Sequence, residues 1–532
     1  METILFTDGY KLDHRRQYPD GTQYVYSNWT PRTCKFYPEA SEGAVVFGLQ
    51  YLFQKYFVED FKTHFFDIEK EKAVNDFKHR VDVFLGPNNV GKEHIADLWE
   101  LGHLPVEICA LPEGSICPIG VPAMTIVNTD PKFFWITNYL ETLISTTLWM
   151  PMTSATTARL FKKRLIKHLK TTGVEMSDID RSFLCHDFSM RGMPGVEASI
   201  LSGLGHLTSF VGSETIPANE AAETYYDIDS SKELISSTVP ATEHSVMCAG
   251  GFDDEFETFK RLITEVYPEG FVSIVSDTWD FWKVITNYMP KLRETIMNRN
   301  GRVVIRPDSG DPVDIIAGLP KDKVIKYRDE YYYFPTLDVP EDEHKISRWM
   351  RKDDIDSMAP YRVSYEQVKG AYECLMDTFG FTLNAAGYRI MDSHIGMIYG
   401  DSITLERQNE IYNRLEAKGI AATNLVLGIG SYSYTYRTRD SLGFAMKATW
   451  CQINDEPKEI FKCPKTDSGF KKSLKGLIKV VKDENGKYVA LDQQPKEALK
   501  DSELKPVFRD GKFLKRFTLT EIRNNVNSSI DD

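Results

Sequence analysis

The sequence predicts an α/β protein: an irregular (β/α) barrel, residues 151–440, beside an α+β sheet domain assembled from the two ends of the chain, 1–150 and 441–532. Three observations carry that expectation. From about Arg181 onward, short β-rich runs alternate with helical runs of similar length, the rhythm of βα units with right-handed crossovers. The flanking parts mix strand and helix signals without regular alternation. The runs also end in loops dense with charged and hydroxyl groups, as in parallel α/β folds that carry their sites at the C-terminal ends of strands. An open doubly wound sheet is the second architecture compatible with this rhythm.

Taken in order, the chain opens with a short strand at Ile4-Leu5-Phe6, a loop through Tyr10 and Lys11, and a second strand at Tyr24-Val25-Tyr26. Apolar spacing predicts helix over 45–57 and 61–84. Pro and Gly cut 103–127 into short strands, and 134–169 reads as a long helix. Strands are then expected to end in 183–188, 207–212, 237–239, 272–277, 302–308, 396–401 and 424–430. Helices fall between them at 195–204, 217–226, 253–266, 278–298, 365–378 and 404–418, the last stopped by Gly419. The highly charged insert 315–364 breaks the rhythm and reads as a surface excursion with a hairpin around Tyr331-Tyr332-Tyr333. Beyond Arg439 come a strand in 444–452, a hairpin about Glu484-Asn485-Gly486, and a polar tail from Asn524 expected to fray.

A chain of 532 residues exceeds one ordinary core, so two domains are expected. A net charge of −13 argues against a general nucleic-acid binder, while leaving room for a local basic pocket. The eight Cys form no C-x-x-C pair, so reduced thiols are the simplest account, and a zinc cluster is not suggested. The N-terminus lacks the long apolar core of a signal peptide, and no apolar run is long enough to span a bilayer. A cytoplasmic location with no membrane partner is the expectation.

The stretch GRVVIRPDSGDP organises the rest. Val303, Val304 and Ile305 suit a strand buried on both faces. The loop after it offers Arg306, Asp308, Ser309, Gly310 and Asp311. Read alone, it is an ordinary turn with Asp308 or Ser309 capping a helix. Recurrence of such loops makes it more. Asp277, Asp308 and Asp401 stand at strand ends where carboxylates hold Mg²⁺ or ribose hydroxyls. Gly428-x-Gly430-Ser431 fits a phosphate cradle, although no Walker A motif is present. Arg191, Arg306, Arg439 and Lys447 could neutralise phosphate, and Phe188 and Tyr10 offer faces to a flat ring. His244, between Glu243 and Ser245, is by itself more often a satisfied structural residue than a catalyst. Sugar phosphate, metal and flat heterocycle together suggest glycosyl transfer to or from a base.

At HDFSMRG, VPATEHS, SIVSDTWD, IRPDSGDP, YGDS and GIGSYSYTYRTRD the sequence resembles the nicotinamide phosphoribosyltransferases, of the type II phosphoribosyltransferase fold. The likeness runs in matching order from TDGYKLDHRRQYP to FKCPKTDSGFKKSLKG. It implies a homodimer with sites at the interface, and nicotinamide, phosphoribosyl pyrophosphate and ATP as ligands, with Mg²⁺ held mainly through pyrophosphate. It implies nicotinamide stacked between Phe188 and the other subunit's copy of Tyr10. Glu214, usually Asp in the family, and Arg306 would meet the carboxamide. Asp308 would face the ribose, with Gly400 and Asp401 at its hydroxyls. Arg191, Gly430 and Ser431 would take the 5′-phosphate, and Arg439, Lys447 and Arg32 the pyrophosphate. Lys462 and Lys471 would lie near ATP or pyrophosphate. His244 matches a phosphorylated histidine, with Glu243 and Asp277 beside it in the catalytic group. The nearest alternative is a nicotinate-specific enzyme on the same fold. A sugar-phosphate aldolase and a non-catalytic NAD-precursor sensor are more distant.

Overall fold

The computed structural model describes residues 2–327, 329–336, 361–400, 402–462 and 474–531. Its centre is the predicted valine-rich strand, Gly301–Arg306, whose Val303 and Ile305 are wholly buried. That strand lies between Ile395–Tyr399 and Gly270–Val275, parallel to both. The sheet continues through Leu425–Ile429 and Cys185–Asp187 to Gly212–Ser213, again parallel throughout. The two edges are not left open. Ser237 bridges to Gly212 and Ala241 bridges to Ser273, both in parallel. Ser273 N–H donates to Pro240 O (2.8 Å) and Thr242 N–H to Ser273 O (2.9 Å). Followed around this ring, the staves occur in chain order, which is the topology of a barrel rather than a doubly wound sheet.

The second layer is a seven-stranded antiparallel sheet, ordered Glu456–Glu459, Ala445–Ile453, Thr22–Thr30, Met124–Asn128, Val106–Ala110, Lys505–Arg509, Lys512–Phe513. The three strands from the N-terminal part lie together at its centre, and strands from the C-terminal part flank them on both sides. The long pairing of Thr22–Thr30 with Ala445–Ile453 joins residues more than four hundred positions apart. Between sheet and barrel runs the helix Glu141–Thr171, through residue 150, where the sequence drew a domain boundary. It approaches the helix Val196–Leu207 closely: a Cβ on Gly205 would lie 2.9 Å from Ala155 N and 3.0 Å from Pro151 O.

Five local expectations change. Residues 4–6 form no strand but part of the 3-10 turn Thr3–Leu5, because the Ile4 carbonyl is taken by the Tyr139 hydroxyl (2.7 Å). In 207–212 only Gly212–Ser213 is extended, since the preceding helix runs on to Leu207. The helix Pro312–Ala317 is capped by Asp311, whose carboxylate accepts from Val313 N–H (2.9 Å), not by Asp308 or Ser309. The tail does not fray. Leu519–Asp531 is a helix, because Leu519, Ile522, Val526 and Ile530 recur on one face and are buried there. Arg159 fastens it through Ser529 Oγ (2.8 Å) and Ser529 O (2.7 Å). In the insert, Val324–Tyr327 pairs with Glu330–Tyr333, so the three tyrosines lie in a strand and the turn precedes them; 337–360 lie outside the described residues.

Candidate functional site

The C-terminal ends of the staves converge on one mouth. Phe188 follows Cys185–Asp187, and its N–H donates to Ile429 O (3.0 Å) on the neighbouring stave. Its ring lies over the backbone of the next strand because residue 428 is glycine. A Cβ there would meet Tyr399 O at 2.6 Å and Phe188 Cδ2 at 2.7 Å. Asp187 is buried and locks two loops together: it accepts from Ser189 N–H (2.9 Å) and Thr215 Oγ1 (2.7 Å).

Glu214 follows Gly212–Ser213. Its Oε1 accepts from His186 Nε2 (3.0 Å) and from the Thr238 hydroxyl. Burial works to raise its carboxyl pKa, but these two bonds, with the charges of His186 and Arg306, outweigh it and hold the pKa below the usual value. The group therefore stays a carboxylate. Across the mouth, Arg306 donates from Nη2 to Thr242 O (2.7 Å), while its Nε–H is buried without a protein acceptor among the described residues.

Asp277, at the end of Gly270–Val275, has a side chain only 5% exposed. Its Oδ2 accepts from Asp308 N–H (2.9 Å) and Ser309 Oγ (2.6 Å), and its Oδ1 faces His244 Nε2 at 3.3 Å. One carboxylate thus ties the loop after the central strand to the first residue of the helix His244–Gly250. Glu243 is spent locally, accepting from the Ser245 hydroxyl. Gly400 completes this wall, since a Cβ on it would stand 2.7 Å from Asp308 Oδ1 and 3.9 Å from Arg306 Nη1. At the mouth's side, Ser431 packs on Gly192, next to Arg191. Gly430 begins the short helix Ser431–Thr435.

A second group sits on the antiparallel sheet. Lys447, on Ala445–Ile453, is half-buried. Burial pushes its ammonium pKa down, Arg32, Lys462 and Lys11 push the same way, and Glu141 opposes them. Arg32 donates from Nε to Gly443 O (3.0 Å) and is itself lowered, first by burial and then by Arg439. Arg439 keeps an exposed pairing with Asp440 at 3.2 Å. Cations crowded closely enough to repel one another make a site for a multiply charged anion. Tyr10 belongs to this group. The residue is 63% exposed, and its ring centre lies 5.0 Å from that of His14 and 5.2 Å from the Lys11 ammonium.

The structure therefore brings Phe188, Glu214, Glu243, His244, Asp277, Arg306, Asp308 and Gly400 to one mouth, with Arg191, Gly430 and Ser431 at its side. It gathers Tyr10, Arg32, Arg439, Lys447 and Lys462 on the sheet. Asp401 and Lys471 lie outside the described residues. Sequence reasoning missed His186 and Thr238, which hold Glu214, and Lys11, which joins the cations. Only His186 and Lys11 had a signal, from their places inside HDFSMRG and TDGYKLDHRRQYP. Among the described residues no group of three or more His, Cys, Asp or Glu is arranged to hold a metal, and no helix is long and apolar enough to cross a membrane.

Two solved structures share this architecture. Human nicotinic acid phosphoribosyltransferase aligns with 99% of this chain and 93% of its own, at TM-score 0.52 and 15% identity. The nicotinate-nucleotide pyrophosphorylase of Pyrococcus furiosus aligns over 99% and 96%, at TM-score 0.54 and 14% identity. At such identities the likeness shows the fold. In sequence, residues 183–512 match the nicotinate phosphoribosyltransferase (NAPRTase) family, and 2–108 match the nicotinamide phosphoribosyltransferase N-terminal domain. A protein of Acinetobacter baylyi called nicotinamide phosphoribosyltransferase is 43% identical over 98% of this chain and 97% of its own length. One of Mycoplasma genitalium with the same name is 30% identical over 90% and 95%. The chain belongs to the nicotinate phosphoribosyltransferase (NAPRTase) family.

Proposed function

We propose that the protein transfers the phosphoribosyl group of phosphoribosyl pyrophosphate to nicotinamide, forming nicotinamide mononucleotide and pyrophosphate for NAD salvage. The observation that carries the substrate choice is Glu214, a carboxylate held ionised at the mouth beside Phe188. It accepts from a carboxamide N–H and repels the carboxylate of nicotinate, a discrimination worth several kcal/mol in a partly dry site. The names of the relatives support the same reading.

Phe188 stacks the pyridine ring and fixes its nitrogen toward the sugar. Arg306 offers its guanidinium to the amide oxygen, and Asp308 stabilises positive charge at the anomeric carbon. The C1–O bond to pyrophosphate breaks with its electron pair on the leaving group. The ring nitrogen lone pair forms the new N–C1 bond, so the product base becomes a pyridinium and no proton is lost. Arg191, Gly430 and Ser431 hold the 5′-phosphate, with Gly400 and Asp401 at the sugar hydroxyls. Mg²⁺ carried on the pyrophosphate would supply charge neutralisation there. Lys447, Arg32 and Arg439, with Lys462 and Lys471, supply the rest.

Two copies complete the arrangement. The exposed Tyr10 and the sheet cations of one copy cover the mouth of the other, closing a shared site. His244 is half-exposed and oriented by Asp277, which suits it to accept the terminal phosphoryl group of ATP. The test is direct. The purified protein with phosphoribosyl pyrophosphate, Mg²⁺ and either pyridine, with and without ATP, should form nicotinamide mononucleotide by preference. Faster use of nicotinate would overturn the substrate assignment. Activity regained on mixing Tyr10→Ala with Asp308→Ala would establish the shared site, and its absence would count against it.

A further inference from the structure

Glu214 is longer by one methylene than the aspartate expected at its position, and a free glutamate at the rim of a cleft has several rotamers to choose from. Here it has little choice. Its backbone N–H is fixed to Asp187 O (2.9 Å). Its Oε1 takes both side-chain donors, His186 Nε2 at 3.0 Å and the hydroxyl of Thr238. Among the described residues Oε2 receives no hydrogen bond, so one oxygen is anchored and the other is presented. The anchor is itself firm. His186 is buried on the stave Cys185–Asp187, its ring 4.7 Å from that of Phe188 at 33°. Gly212 makes room for it, since a Cβ there would come within 2.7 Å of His186 Nδ1. Thr238 comes from the segment that bridges the two edge strands of the barrel, so the carboxylate is gripped by a stave on one hand and by the bridging segment on the other.

We propose that His186 and Thr238 are positioning residues that set amide-over-acid selectivity by anchoring Oε1 of Glu214 and turning Oε2 toward the pyridine substituent. His186 also braces the aromatic face of Phe188, so ring and substituent are aligned from one side chain. The inference rests on the nicotinamide reading above and adds to it the parts that make the longer carboxylate selective.

Three variants test it. His186→Phe keeps a flat ring against Phe188 and removes the N–H. Thr238→Val keeps the shape and removes the hydroxyl. His186→Gln returns an N–H near the place of Nε2. Steady-state kcat and KM are measured for nicotinamide and for nicotinate across pH. A hydrogen bond to a charged group is strong enough that each loss should cut the ratio of kcat/KM for amide over acid by about tenfold. The change should fall mainly in KM for nicotinamide. The acid limb of that kcat/KM profile should also move to higher pH, because Glu214 loses groups that keep it ionised. His186→Gln should recover most of the ratio. Equal losses on both pyridines, with ratio and acid limb unchanged in His186→Phe and Thr238→Val, would overturn the proposal and leave the reaction assignment standing. A wild-type protein that prefers nicotinate would overturn both.

Discussion

Replacing Asp277 with alanine should detach the loop after Gly301–Arg306 from the rest of the barrel mouth. The carboxylate is nearly sealed from solvent and accepts from Asp308 N–H at 2.9 Å and Ser309 Oγ at 2.6 Å, with His244 Nε2 at 3.3 Å. Hydrogen bonds to a charged group contribute about 1.5–3 kcal/mol each, so two such bonds hold the loop with about 3–6 kcal/mol. Water entering the vacated space restores part of this. A net loss of about 3 kcal/mol in the transition state corresponds to a fall of about a hundredfold in kcat/KM. Asp277→Asn keeps the volume and one acceptor oxygen, and should lose about tenfold. Initial rates of nicotinamide mononucleotide formation give the numbers, and circular dichroism melts check that each variant is folded. A folded Asp277→Ala enzyme within about threefold of the parent kcat/KM would refute the reasoning. It would mean that the Tyr399 hydroxyl, bonded to Ser309 O (2.8 Å) and Gly310 O (3.0 Å), places the loop alone.

Gly428→Ala should push Phe188 off the strand, since its new Cβ would lie 2.7 Å from Cδ2 of that ring; KM for the pyridine should rise severalfold, and an unchanged KM in a folded variant would count against the stacking role. Pyrophosphate should raise the melting temperature by binding the sheet cations, and Lys447→Gln should shrink that rise. An equal rise in both proteins would place the anion elsewhere. Glu113 is buried, and burial pushes its carboxyl up to about 7, against the backbone N–H groups of Gln50 and Leu49. An acid raised by folding contributes stability that is present below its ordinary 4.5 and lost as pH climbs through about 7. The melting temperature of the parent relative to Glu113→Gln should therefore fall across that interval, and a flat difference would contradict it.

The barrel was legible because Val303, Val304 and Ile305 have no other economical place than a strand covered on both sides, and because that pattern recurs with helix-length spacers. The positions of Phe188, Glu214, His244, Asp277, Arg306 and Asp308 at one mouth follow from the same topology, once each stands at a stave's end. What the sequence hid is chemistry between distant segments. Thr238 looks like any loop threonine until the bridging segment carries it to Glu214. Lys11 looks solvated until the pairing of Thr22–Thr30 with Ala445–Ile453 gathers cations from both ends of the chain. The docked C-terminal helix was misread because its polar majority, Asn524, Asn525, Asn527, Ser528 and Ser529, masks a four-residue apolar stripe.

The seam of the barrel has an implication for how the protein would fail. Its narrowest span, between Ser237 and Thr242, is held by a handful of main-chain bonds, yet Thr238 steadies Glu214, the Thr242 carbonyl receives Arg306, and the Thr242 hydroxyl takes Val275 N–H at 2.9 Å. Two residues further on stands His244. Mild heat or denaturant that parts this closure would scatter the mouth while the remaining staves stay paired, so loss of turnover should precede loss of ellipticity, and deuterium should reach the amides of Thr242 and Ser273 before those of Val303 and Ile305.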